Sequence, residues 1–163
     1  MLLAVVLAAP GAARRVDDHG RFTRTAADEI EGPLLARINR TRRAHDLRPL
    51  RLAKGLVRAA EDHARSMARD GYFSHSSPDG ASVERRIRRY YPASTVGETL
   101  LWRAGDLSAA QALEMWLGSP GHRAILLGPS FRDVGLAAIR VTDAPGAFRG
   151  LDVTILVAEF GTR

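Results

Sequence analysis

The sequence predicts an α+β domain in which helices cover an antiparallel sheet, and three observations carry that reading. Apolar residues recur at helical spacing over 52–70 and again over 108–117. Two runs rich in Val, Ile, Leu and Ala, 134–141 and 151–160, follow near the end. A Pro- and Gly-bearing link at 143–150 joins those runs as a loose hairpin. Helices first and strands last place the helices against the sheet.

The first helix is expected over 30–44. Pro33 suits only its first turn, where no intrahelical N–H is needed. Leu34, Leu35 and Ile38 form its apolar side, with Arg37, Arg40, Arg42 and Arg43 mostly outward. The turn at 46–50 closes on Pro49 and Leu50. A second helix spans about 52–70, where Leu52, Leu56, Ala60, His63 and Met67 recur at steps of three and four and Gly71 stops it. His63 on that stripe reads as a hydrogen-bonded core histidine rather than a ligand.

A loop at 71–82 leads to a short helix at 83–89, with Val83 and Ile87 inward and Arg85, Arg86, Arg88 and Arg89 outward. Tyr90-Tyr91-Pro92 ends it. The run 96–102 is apolar and short, favouring strand over helix. Ser108 with Gln111 makes a capping-box pattern for the next helix, whose apolar side is Leu113, Trp116 and Leu117. Ser119 and Pro120 then start another helix, with His122 in its first turn.

Composition bounds the function. With 163 residues, 45% of them hydrophobic, the chain makes one domain with a real core. It has no cysteine, which excludes disulfides, a thiolate metal site and a thiol nucleophile. The net charge is +6, carried almost entirely by arginine, and suits either a solvated surface or affinity for anionic polymer or lipid headgroups. Nucleic acid is not expected, since no zinc-finger spacing or aromatic platform accompanies the arginines. Residues 1–9 are apolar, and Gly11 and Ala13 provide small residues for cleavage, so 1–13 reads as a signal peptide or its remnant. The alternative is a frayed arm, because no basic segment precedes the run. It is too short to span a bilayer, which needs roughly 20 residues. Residues 14–29 read as a linker or N-terminal arm.

Three stretches hold the candidate chemistry. His75 lies among serines in a loop without apolar periodicity, the pattern of an exposed histidine or a site group. Glu98 is the only charged residue between Tyr90 and Arg103, so it either faces an edge or is buried and paired. His122 sits at a helix start, which favours the neutral imidazole suited to metal ligation or general-base work. Glu84, opening the 83–89 helix, is an ordinary first-turn carboxylate or a fourth site group. Two imidazoles and one or two carboxylates could hold a divalent cation, or polarise a serine or water for hydrolysis. No HExxH, P-loop, nucleophile-elbow or dinucleotide pattern narrows that choice.

Together these stretches resemble the CAP superfamily, also called the SCP or cysteine-rich secretory protein family, in its cysteine-free bacterial branch. Asn39-Arg40-Thr41-Arg42 with Leu47-Arg48-Pro49-Leu50 is similar to the family's opening signature. Residues 60–67 are similar to its second-helix pattern, and Phe73 to Gly80 to its F-x-H-x-S-P-D-G segment. Gly97-Glu98-Thr99 stands for Gly-Glu-Asn, 116–127 for W-x-x-S-P-G-H-R-x-N-I-L, and 131–135 with Phe160-Gly161 for the closing pieces. The resemblance covers about 30–161. It implies a three-layer α-β-α sandwich with a central antiparallel sheet, and a cleft lined by two His and two acids. It places His75 and His122 as the metal-ligating histidines, for zinc or another divalent cation, and Glu98 as one acid, with Glu84 the candidate for the other. It also implies a secreted or cell-envelope protein with a lipid or envelope ligand and no settled activity, a peptidase-like hydrolase being the alternative. Binding of anionic envelope polymer through the Arg-rich helix is a third reading. Thr99 and Ile125 replace two family asparagines, removing amide groups near the cleft, and Ile125 adds apolar area instead.

Overall fold

A computed structural model describes residues 28–163. The leader reading of 1–13 and residues 14–27 of the expected arm lie outside the described residues, while residues 28–29 of that arm open the first helix. The chain runs α1 (Asp28–Ala44), β1 (Arg51–Leu52), α2 (Lys54–Asp70), α3 (Val83–Arg88), β2 (Thr95–Ala104), α4 (Ala109–Gly118), α5 (Pro120–Leu126), β3 (Asp133–Ala144) and β4 (Leu151–Thr162), with a 3-10 turn at Gly146–Phe148. The sheet order is β1-β3-β4-β2. The three long strands are antiparallel, and β1 adds two residues parallel to β3.

Alternation along the strands feeds two cores, one on each face of the sheet. Leu101, Leu136, Ala138, Leu156, Ala158 and Phe160 meet α1, α4 and α5, where Ile30, Leu34, Ile38, Trp116 and Leu126 are buried. Leu100, Ala137, Ile139, Ile155 and Val157 meet Ala60, Ala64, Met67 and Ala68 of α2. Beside them Leu56 and Ala59 of α2 pack with Ile87 of α3 and Tyr91. The expected α-β-α sandwich is thus present. The contact between α2 and β3 is close enough to demand glycine: a Cβ at Gly135 would lie 2.0 Å from the Leu56 carbonyl carbon and 2.2 Å from Val57 N.

Local signals placed several elements well. Ser108 and Gln111 form both bonds of a capping box at α4. Gly71 takes the left-handed conformation at the end of α2, with φ 67°. The run around 96–102 is a strand.

Four expectations change. Helix α1 starts at Asp28, so Pro33 lies inside it rather than in its first turn. Leu52 is no part of the α2 stripe; it is 59% exposed, because Arg51 N and Ala53 N bond to Arg132 O and Val134 O and hold residues 51–53 extended. Arg42 is fully buried, not outward. Its guanidinium donates to the carbonyls of Arg48, Leu126, Gly128 and Phe131, at 2.6–3.4 Å, and so fixes the end of α5. Arg86 also turns inward, as described below.

Candidate functional site

Strand β2 is an edge strand, with α3 packed beside it from one helical layer and α5 from the other. Glu98 sits on its α2-facing side, with a side chain only 1% exposed. The 71–82 loop, which begins at the Gly71 stop, brings His75 over it. His75 Nδ1 lies 2.6 Å from Glu98 Oε1. An ionised carboxylate only accepts, so Nδ1 carries the proton of this bond. Arg86 Nη2 donates to Glu98 Oε2 at 2.6 Å. Its Nη1 donates to the carbonyls of His75 at 2.7 Å and Ala81 at 3.2 Å, clamping the loop to the same carboxylate. Arg86 turns inward against the solvent-facing expectation because a buried carboxylate and two loop carbonyls offer it more than water does.

His63, on the buried stripe of α2, completes the wall. Its Nε2 donates to Ser74 O at 3.0 Å and stands 3.7 Å from Glu98 Oε2. Burial pushes its pKa down to about 4, more than the nearby Glu98 charge raises it. It is therefore the neutral core histidine expected. For Glu98, burial works to raise the pKa, but the His75 bond and the Arg86 charge outweigh it and hold the carboxyl below its usual range. The bond to Glu98 raises His75 against its partial burial. His122, on α5, is lowered first by burial and then by the charge on His75.

Glu84 does not join this group. It points outward from α3, half exposed, and pairs with Arg88 at 2.7 Å. The second buried acid is Glu159, which sequence reasoning missed. It is the direct register partner of Glu98 across β2 and β4, wholly buried, with Arg86 Nη2 at 3.8 Å. A signal existed: Glu159 is the only charged residue between Asp152 and Arg163, as Glu98 is in its own run.

A groove of about 660 Å³ between α2 and α3 is lined in part by His63 and Arg86, but not by His75, Glu98 or His122. Arg69, Arg85, Arg86 and Arg89 line it with Asp62, Asp70 and Asp79, so its charges nearly balance. Among the described residues no group of three or more His, Asp or Glu is arranged as a ready metal site. Nor is any helix there long and apolar enough to cross a membrane.

The family model for CAP, the cysteine-rich secretory protein family, matches residues 35–160. The chain belongs to this family. Its CAP domain is similar to the uncharacterized protein YkwD of Bacillus subtilis, 26% identical over 116 residues, covering 71% of this chain and 44% of YkwD. The uncharacterized membrane protein YlbC of the same organism is 30% identical over 111 residues, covering 68% and 32%. The chain thus spans less than half the length of these curated relatives. Among solved structures, an outer surface protein from Borrelia burgdorferi matches with TM-score 0.67 and 22% identity, over 80% of this chain and 90% of that one. An extracellular SCP-domain protein from Bacillus anthracis matches with TM-score 0.65 and 25% identity, over 82% and 41%.

The two departures from the family pattern take different places in the CAP domain. Thr99 is fully buried and its hydroxyl has no hydrogen-bond partner. Ile125 packs against the core on the α1 side, close to Gly97. Neither touches the bonds that hold Glu98, His75 and Arg86 together.

Proposed function

We propose that this CAP domain is a secreted or envelope-associated binding module, not a catalyst. In this reading its His75–His122 face takes one divalent cation, zinc or another, and through it a lipid or cell-envelope ligand. The observation that carries the reading is the 2.6 Å bond from His75 Nδ1 to Glu98. A carboxylate that holds one ring nitrogen fixes the imidazole's orientation and directs Nε2 outward as a donor. Burial lowers the pKa of His122, which favours the neutral form that ligates. Glu98 itself is committed to His75 and Arg86, so the cation would have two protein ligands, with water or the ligand's own oxygens completing the shell. The cation would compete with a proton for His75 Nε2, so binding should weaken as pH falls.

A serine-dependent hydrolase is less well supported. The Ser74 hydroxyl accepts from Ser76 N, and that of Ser77 from Arg86, so both serve the loop. The extracellular and outer-surface descriptions of the structural relatives support export of this chain. Titration calorimetry with zinc is the test. The wild type is expected to show one saturable site that the H75A/H122A variant lacks; identical heats for the two would remove the cation reading.

A further inference from the structure

Glu98 and Glu159 face each other directly in the β2–β4 register, and both side chains point toward α2. Cross-strand partners of like charge repel, and here the pair lies out of reach of water. The donors around them can be assigned one by one. From the 71–82 loop, His75 Nδ1 is spent on Glu98. From α3, Arg86 Nη2 is spent on Glu98 and Nη1 on the His75 and Ala81 carbonyls, while its buried Nε bonds to neither carboxyl group. From α2, His63 Nε2 is spent on Ser74 O. On the remaining side β3 presents Gly135, opposite Glu159, which has no side-chain donor. Both oxygens of Glu159 are left without a donor, and one arginine serves two carboxyl groups.

We propose that Glu159 is a positioning residue that acts as a neutral carboxylic acid, its O–H donating to the Glu98 carboxylate and holding it toward His75 and Arg86. One proton then satisfies both groups: Glu159 gains an acceptor, and the pair keeps a single negative charge that Arg86 balances. Burial first, and then the Glu98 charge and hydrogen bond, push the Glu159 carboxyl well above its ordinary range, against the pull of Arg86. The arrangement follows the rule that two adjoining buried carboxyls do not both ionise. It is independent of cation binding.

The test is carboxyl ¹³C NMR on the wild-type chain with labelled glutamate, alongside a pH–stability comparison with E159Q. Glu159 is expected to keep the shift of a protonated acid from about pH 5 to pH 7, where a free glutamate ionises. In E159Q the new side-chain amide would donate to Glu98 as the acid does. A folded pKa raised above the unfolded one gives stability that is full below the unfolded pKa and lost as pH rises toward the folded value. E159Q lacks that loss, so its melting temperature should gain on the wild type steadily between about pH 5 and pH 7. A Glu159 carbon at the carboxylate shift at neutral pH would overturn the proposal, as would a wild-type-minus-E159Q difference that stays flat with pH. Neither readout uses a metal, so failure of the cation reading leaves this result standing.

Discussion

Replacing Arg86 with methionine is the sharpest perturbation of the site. Methionine keeps much of the unbranched stem and removes the guanidinium. The 2.6 Å bond to Glu98 Oε2 is lost, together with the donors to the carbonyls of His75 and Ala81. The Arg86 side chain is 11% exposed and that of Glu98 1%, so the carboxylate left behind is desolvated. Removing one partner of a buried pair costs about 3–5 kcal/mol. For a domain of this size each kcal/mol is worth about 2–4 °C, so the melting temperature should fall by roughly 10 °C. The double variant R86M/E98Q removes both charges and should be less destabilised than the two single variants summed, by about 2 kcal/mol. Urea unfolding of the four proteins gives the cycle. A loss below about 1 kcal/mol for R86M, the level of an exposed pair, or strict additivity of the double variant, would refute the claim that Arg86 and Glu98 form one buried unit.

Two further outcomes follow from the same geometry. R42M leaves the carbonyls of Arg48, Leu126, Gly128 and Phe131 without their donor, and a loss of about 3 kcal/mol is expected from unsatisfied buried acceptors. Because two of those carbonyls lie at the end of α5 and just beyond it, the His122 ring resonances should shift as well, and unchanged resonances would contradict that coupling. His63 is neutral in the fold, with its pKa lowered from 6.5 to about 4. A depressed folded value means its contribution is full above 6.5 and is lost as pH falls toward about 4. H63Q should flatten that acidic limb in a series of thermal melts, and a limb identical to the wild type would contradict it.

Elements set by neighbours in sequence were legible, and those set by distant partners were not. The α4 capping box and the Gly71 stop are bonds within a few residues, so the chain displays them. Strand β4 announces itself by its Val and Ile content. The two inward arginines could not be read this way, since Arg42 is satisfied by carbonyls 84–89 residues away and Arg86 by a carboxylate on β2. Charge on a helix face suggests solvent until such partners are known. Strand β1 was hidden for a similar reason, because Leu52 continues the helical spacing while its backbone is held by β3. In the site, Glu98 was found because a lone acid in an apolar run must be paired. The same argument applied to Glu159 would have displaced Glu84, whose first-turn position offered no such constraint.

The cation site is tested most directly by ¹⁵N NMR of the five histidine rings during zinc addition to the wild-type chain. The account predicts that Nε2 of His75 and a ring nitrogen of His122 shift together and saturate at one equivalent, while His63 stays unmoved. Shifts confined to other histidines, or at only one of the pair, would contradict it.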